Sequence, residues 1–467
     1  MKLLLILLNI YFVSFTDKPN STTPALSPTA LAMREANHIA IDELDYPVSE
    51  TYLQALENKG ATIHHTSRWM NGATIETDDS ITIQSIRELP FVVSATMTRD
   101  KTKTSQISPR KNTLQPHATT KYIDNDQLEI YNLLPIHALG YEGQGIRIAI
   151  CDVGFYNANA ISWVDSEHCL GYYDFTDEPY DFFGSTGAHG EYVLSFIAGN
   201  TTRYHGAAVN AHYYLMRSEE YHTESPKEMD NLIVAMETAD SLGAHIFSAS
   251  LGYYYFDNAK WNLSYSDLNG KKTRAARAAT IASRKGMLVC LAAGNEGQNP
   301  WHYICSPSDA DSILTVGAVT YERTIAAFSS RGPSADNRVK PEICALGQAA
   351  WYIAEDGITM VQGNGTSFAT PLVSGMAASL WSAMPQLTNH QLRRYIIESA
   401  DKYTNPNGDL GYGIPNAYKA YQLATQLHSI PATNSTPRKI LRNGMVYIIV
   451  NGKEYDVLGK KKKKKVG

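Results

Sequence analysis

The sequence predicts an α/β fold, a mostly parallel sheet with helices on both faces, preceded by a small α+β domain. Three observations lead there. Near-continuous apolar runs of strand length, among them "IRIAIC", "AHYYLM", "GMLVCLAAG" and "ILTVGAV", recur through residues 121–428; runs without polar alternation mark strands covered on both faces. Helical stretches such as "KEMDNLIVAMETADSLG" and "TRAARAATIASRKG" separate them, which is the alternation of a parallel sheet with crossover helices. Ahead of this domain, a charged, aperiodic stretch at residues 100–120 sets off a compact segment with strands and helices of its own.

Taken in order, the chain opens "MKLLLILLNIYFVSF", one lysine and then an apolar run from Leu3 to Phe15. That is shorter than the ~20 residues needed to span a bilayer, and it reads as a signal peptide over residues 1–16, implying export. A Ser/Thr/Pro linker follows. Residues 34–99 read as β-α-β-β-α-β, with "HIAIDEL" as the first strand and "SETYLQALENKGATI" as the first helix, a small sheet with helices on one face. The connector at residues 100–120, with Pro109 and Pro116, reads as exposed and cleavable. After residue 428 a second linker leads to a tail at residues 436–467. There "KILRNGMVYIIVNGKEYDVLG" reads as three strands joined by Asn-Gly turns, and Lys460 to Lys465 follow.

Composition excludes some functions. A net charge of −5 offers no basic field for a nucleic-acid backbone, and no later apolar run is long enough for a membrane span, so the mature form should carry no integral membrane segment. Five scattered cysteines give neither metal spacing nor a dense disulfide framework. Cys151 and Cys290 end apolar runs and read as buried core residues.

Four positions carry chemistry. Asp152 ends the strand "GIRIAICDVGF"; alone, it is as well explained as a turn or cap aspartate. His189 opens a helix in "AHGEYVLSFIAG", where the positive end of the helix dipole is expected to disfavour the imidazolium. Asn295 follows the strand "GMLVCLAAG", its carboxamide N–H groups suited to an oxyanion or to a simple turn. Ser367 lies in "GNGTSFATP" among small residues at a helix start, with Pro371 expected in the first turn. The chain order Asp, His, Ser is one of the known orders of a serine triad.

With "ICDVGF", "AHGEYVLSFIAG", "HIFSASLGY", "VCLAAGNEG", "AFSSRGP" and "GNGTSFATP" in that order, the chain resembles the subtilisin-like serine proteases, the subtilase family. The resemblance implies a serine endopeptidase acting on proteins or peptides through an acyl-enzyme. Asp152, His189 and Ser367 would form the triad and Asn295 the oxyanion donor. Ser250, Leu251, Gly252, Ala293 and Gly294 would bind substrate backbone and wall the first specificity pocket. It implies no metal at the catalytic site and no cofactor for the chemistry, and it leaves structural calcium open. It makes residues 34–99 an inhibitory propeptide, hence a self-processed zymogen. The tail is similar to C-terminal sorting signals of type IX secretion cargo, implying an extracellular or cell-surface protein of a Gram-negative bacterium. The alternative, a catalytically silent relative that only binds peptides, is opposed by the intact Asp, His, Asn and Ser set. Two positions depart from the family pattern: Val153 follows the aspartate, and Glu191, expected to face solvent, follows His-Gly where a threonine is usual.

Overall fold

The computed structural model of the chain describes residues 9–19, 22–102, 117–118, 126–177, 181–184 and 187–425, and the backbone of three strands between 438 and 456. The N-terminal unit comprises β1 (Ile10–Phe15), α1 (Pro28–Ala36), α2 (Glu50–Asn58), β2 (Thr62–Ser67), β3 (Gly72–Glu76), α3 (Ser80–Arg87) and β4 (Val92–Arg99). Its antiparallel sheet runs β2-β3-β1-β4. The β-α-β-β-α-β reading therefore has the right order but the wrong first strand: "HIAIDEL" is not a strand, and Ile10–Phe15, assigned above to the signal peptide, pairs with β3 and β4.

The physical reason is burial on both faces. Tyr11, Val13 and Phe15 enter the core beneath the helices, while the ring of Phe12, on the opposite face, lies 4.4 Å under the guanidinium of Arg274 in the following domain. A strand buried on both sides needs an unbroken apolar run. In sequence this is what a leader's apolar stretch looks like. Pro28–Ala36, which begins inside the stretch read as linker and runs into the expected domain, forms α1, with Ser27 accepting from the N–H of Ala30 and Pro28 in the first turn.

Most of the expected connector, residues 103–116 and 119–120, lies outside the described residues; within it β5 (His117–Ala118) pairs antiparallel with β14 below. The main domain contains α4 (Asp126–Glu129), α5 (Leu134–Ala138), β6 (Arg147–Asp152), β7 (Cys169–Asp174), α6 (His189–Ala198), β8 (His212–Arg217), α7 (Pro226–Leu242), β9 (Ile246–Ala249), α8 (Arg274–Arg284), β10 (Leu288–Ala292), β11 (Leu314–Val319), β12 (Ile343–Leu346), β13 (Ala350–Ile353), β14 (Met360–Gly363), α9 (Thr366–Ala383), α10 (Asn389–Ser399) and α11 (Ala417–Ala424). Seven parallel strands run β12-β11-β10-β9-β6-β8-β7. Alternate residues of β6 feed two cores. Ile148 and Ile150 pack toward α6 and α9, and Ala149 and Cys151 toward α7 and α8. All five cysteines are free thiols, four of them buried. In the tail β15 (Arg438–Arg442), β16 (Met445–Val450) and β17 (Lys453–Asp456) form a separate antiparallel sheet; the lysine run lies outside the described residues.

The N-terminal sheet docks on α7 and α8 through buried polar groups. Glu237 of α7 accepts from the Ser67 hydroxyl at 2.6 Å and from the backbone N–H groups of Arg68 and Trp69 at 3.0 and 3.1 Å. One guanidinium nitrogen of Arg34 reaches both oxygens of Asp240 at 2.7 and 2.8 Å, Arg68 reaches the same carboxylate at 2.8 Å, and Lys285 of the main domain reaches back to Asp45 at 2.6 Å. At the end of β4, Arg99 pairs with Glu220 at 2.9 Å, beside the rim of the cleft described below.

Because β1 is internal to the sheet, a segment of residues 10–102 should inhibit the mature domain when added in trans, and one starting at residue 36 should not. Arg68→Ala in the longer segment should weaken inhibition at least ~100-fold, since unpairing a buried charge costs about 3–5 kcal/mol. Inhibition constants decide it; equal constants for the two lengths would refute the role of β1.

Candidate active site

In parallel sheets, ligand-binding groups collect where the strands end at their carboxyl side. Asp152 is the last residue of β6, Ser250 follows β9 and Asn295 follows β10. The cleft above them, about 490 Å³, is lined by Ser250 and Asn295 together with His189, Leu251, Gly252, Gly294 and Ser367.

Asp152 has no exposed surface. Its Oδ1 accepts the Val153 N–H at 2.8 Å and the Nδ1–H of His189 at 2.6 Å. The imidazole is thereby held as one tautomer, its Nε2 left as the basic nitrogen. His189 is the first residue of α6, and it reaches Asp152 only because Gly190 follows: a Cβ there would lie 2.5 Å from the Gly154 carbonyl oxygen and 2.9 Å from the Asp152 Cβ. Burial pushes the imidazole pKa down, and the charge and hydrogen bond of Asp152 outweigh it, so the value is raised above 6.5. The dipole argument pointed the other way; a full charge at hydrogen-bond distance overrides the partial charge of a helix end.

Ser367 is the second residue of α9. The ring of the next residue, Phe368, stacks on His189 at 6.2 Å and packs on Phe196 at 5.1 Å, locking α9 against α6. Pro371 falls in the second turn rather than the first. Having no N–H, it leaves the Ser367 carbonyl four residues earlier without its helical donor, and the Ser250 hydroxyl supplies one at 2.8 Å. The Ser367 N–H, in the first turn, has no intrahelical acceptor. Asn295 Oδ1 accepts the backbone N–H of Thr366 at 2.9 Å and its hydroxyl at 3.0 Å. A backbone N–H can only donate, so the carboxamide orientation is fixed, with its oxygen rather than its NH₂ on Thr366.

Ala293 departs from its expected role. Its N–H goes to the Val316 carbonyl at 3.0 Å and its carbonyl takes the Cys305 N–H at 2.9 Å, so both backbone groups are used within the domain and Ala292, not Ala293, lines the cleft. Sequence reading also missed Glu219 and Glu224, which line the cleft from the loop after β8. Their position just past a strand's carboxyl end was the available signal.

Glu191 does not face solvent. It has no exposed surface, neither carboxylate oxygen has a hydrogen-bond partner, and the charges that act on it, Glu355 and Asp356, lie in the turn between β13 and β14. Burial first, then the charges of Glu355 and Asp356, push its pKa from 4.5 to about 8.

The sequence profile of the subtilase family matches residues 143–414, and that of the Bacteroidota peptidase S8 propeptide domain matches residues 10–115. The chain belongs to the subtilase family. Serine protease AprX of Bacillus subtilis (strain 168) is 27% identical over 310 residues, 59% of this chain and 66% of the relative. Subtilisin DY of Bacillus licheniformis is 28% identical over 281 residues, 60% of this chain and 90% of the relative. The crystal structure of MycP1 from the ESX-1 type VII secretion system superposes with a TM-score of 0.53 at 21% identity, covering 68% of this chain and 90% of that one, a likeness of fold. This subtilase is thus a serine endopeptidase with a propeptide, and the propeptide profile begins at β1, as the sheet does.

A carboxyl group whose folded pKa exceeds its unfolded value favours folding at low pH, and that contribution fades as pH rises from about 4.5 to about 8. Glu191→Gln, isosteric and uncharged, should melt close to the parent at pH 4.5 and progressively above it up to pH 8. Melting curves across that range test this; a constant difference would place Glu191 in contact with water.

Proposed function

We propose that this subtilase hydrolyses peptide bonds by nucleophilic attack of Ser367. His189 Nε2 takes the hydroxyl proton as Oγ bonds to the scissile carbonyl carbon. The oxyanion is met by the Ser367 N–H and the Asn295 NH₂. His189 then passes its proton to the leaving amine, giving an acyl-enzyme, and water attacks with the same base to release the acid. Asp152 holds the imidazole tautomer and stabilises the imidazolium. The reading rests on the 2.6 Å bond between Asp152 and His189, in a cleft shared by His189, Asn295 and Ser367. Water is the only co-substrate these steps need.

The propeptide match and the buried docking interface support a zymogen that cuts itself in the segment joining the two domains. The Bacteroidota propeptide and the separate three-stranded tail sheet support export, with the tail as a type IX sorting signal, to the cell surface or medium of a Gram-negative bacterium. No helix among the described residues is long and apolar enough to cross a membrane.

Ser367→Ala should fold, lose proteolysis and remain an uncut precursor when purified. Asn295→Ala should lower kcat about 10²–10³-fold with little change in KM, the loss known for such a donor in the subtilisins. Asp152→Asn should lower kcat about 10⁴-fold and move the acid limb of kcat/KM to lower pH, because the charge that raises the His189 pKa is gone. Peptide hydrolysis against pH measures the last two; maturation of purified Ser367→Ala would assign the cut to another protease.

A further inference from the structure

Side chains that this chemistry does not use meet beyond the far end of α6. His137 on α5, Glu142 in the loop before β6 and His205 in the loop after α6 each offer one ligand atom, and the three atoms lie within 4.8 Å of one another. The other polar atoms of His137 and Glu142 are already engaged. His137 Nε2 lies 3.1 Å from the Ala207 carbonyl oxygen; a carbonyl only accepts, so Nε2 carries the proton and Nδ1 has a free lone pair. The second carboxylate oxygen of Glu142 accepts from the Asn210 carboxamide at 3.0 Å. His205 Nε2 is 3.4 Å from Glu142 Oε1, and the two imidazole centroids are 5.7 Å apart. Metal-binding histidines typically give their second ring N–H to a backbone carbonyl, and ligating carboxylates are themselves hydrogen-bonded.

We propose that His137, Glu142 and His205 form a Zn²⁺ site. Two imidazole nitrogens and one carboxylate oxygen match the preference of zinc, whereas calcium takes six to eight oxygens. The side chains of His205 and Glu142 are 29% and 24% exposed, which leaves an entry path and room for water as a further ligand. The ion would stabilise the frame of the cleft from a distance. The N–H groups of Ala207 and Ala208, just after His205, cap the Phe196 and Ile197 carbonyls at the end of α6 at 2.9 and 2.8 Å. The Ala207 carbonyl also accepts from Ser379 of α9 at 2.7 Å. A metal bridging His137 and His205 therefore ties the entry to the catalytic domain to the helices that present His189 and Ser367.

The test uses the full chain as Ser367→Ala, so that no self-cleavage intervenes, with Zn²⁺ titrated by calorimetry and the melting temperature recorded with and without it. One Zn²⁺ per chain with micromolar or tighter affinity and a rise of several degrees are expected, with Ca²⁺ giving neither at equal concentration. His205→Ala should weaken binding by more than the ~10–100-fold typical of losing an outer partner and abolish the rise. Glu142→Gln, which keeps the side-chain shape, should weaken both, and His390→Ala, an exposed histidine on α10, should change nothing. Absence of binding by the parent, or Zn²⁺ affinity in His205→Ala or Glu142→Gln equal to the parent's, overturns the proposal.

Discussion

The arrangement depends on one carboxylate with no contact with water. Asp152 ends β6 beneath the start of α6; its Oδ1 accepts from the Val153 N–H and from His189, while its Oδ2 is buried with no hydrogen-bond partner. A buried carboxylate is tolerable only when paired and hydrogen-bonded, so the imidazole and the strand end must stay together. Gly190 permits that approach, and stacking of Phe368 on His189 carries the same constraint into α9. The serine is then positioned by the packing of its neighbour Phe368 and by the Ser250 hydroxyl on its own carbonyl. Loss of the helical donor at Pro371, made good by Ser250, fixes the strand end at Ser250 to the same helix turn.

The propeptide interface follows a different logic. Its contacts on α7 and α8 are dominated by charged groups with little exposure: Arg34, Arg68, Asp240 and Glu237. Such pairs are costly to break singly, and against an apolar interface they add more specificity than net stability. The propeptide is thus held in one register, with Arg99 at the end of β4 placed beside the loop that walls the cleft. A segment continuing from that point starts at the rim of the active site, which suits a link that is cut once and then leaves.

Much of this was legible in the sequence, for identifiable reasons. The parallel sheet shows as unbroken apolar runs; Asp152 and Asn295 stand at the ends of two of them, where strand termini must lie, and His189 and Ser367 stand at helix starts. The failures have physical causes too. Ile10–Phe15 was misread because burial on both faces of a strand and the apolar core of a leader give the same composition. Glu191 was misread because a glutamate at a helix start has a ready surface explanation, and only the fold reveals the hairpin that covers it. Ala293 lies just past β10 between two cleft-lining residues, Ala292 and Gly294, with its own N–H and carbonyl bonded within the domain. The His137, Glu142 and His205 cluster joins positions up to 68 residues apart with no spacing signal.

The account's central claim is that Asp152, His189, Asn295 and Ser367 work as one site around a nucleophilic serine. Labelling the mature enzyme with an organophosphonate serine probe and locating the adduct by peptide mass spectrometry tests it most directly. The account predicts one adduct, on Ser367, that is lost on denaturation and nearly absent in His189→Ala. An adduct on another serine, or undiminished labelling of Ser367 without His189, would contradict it.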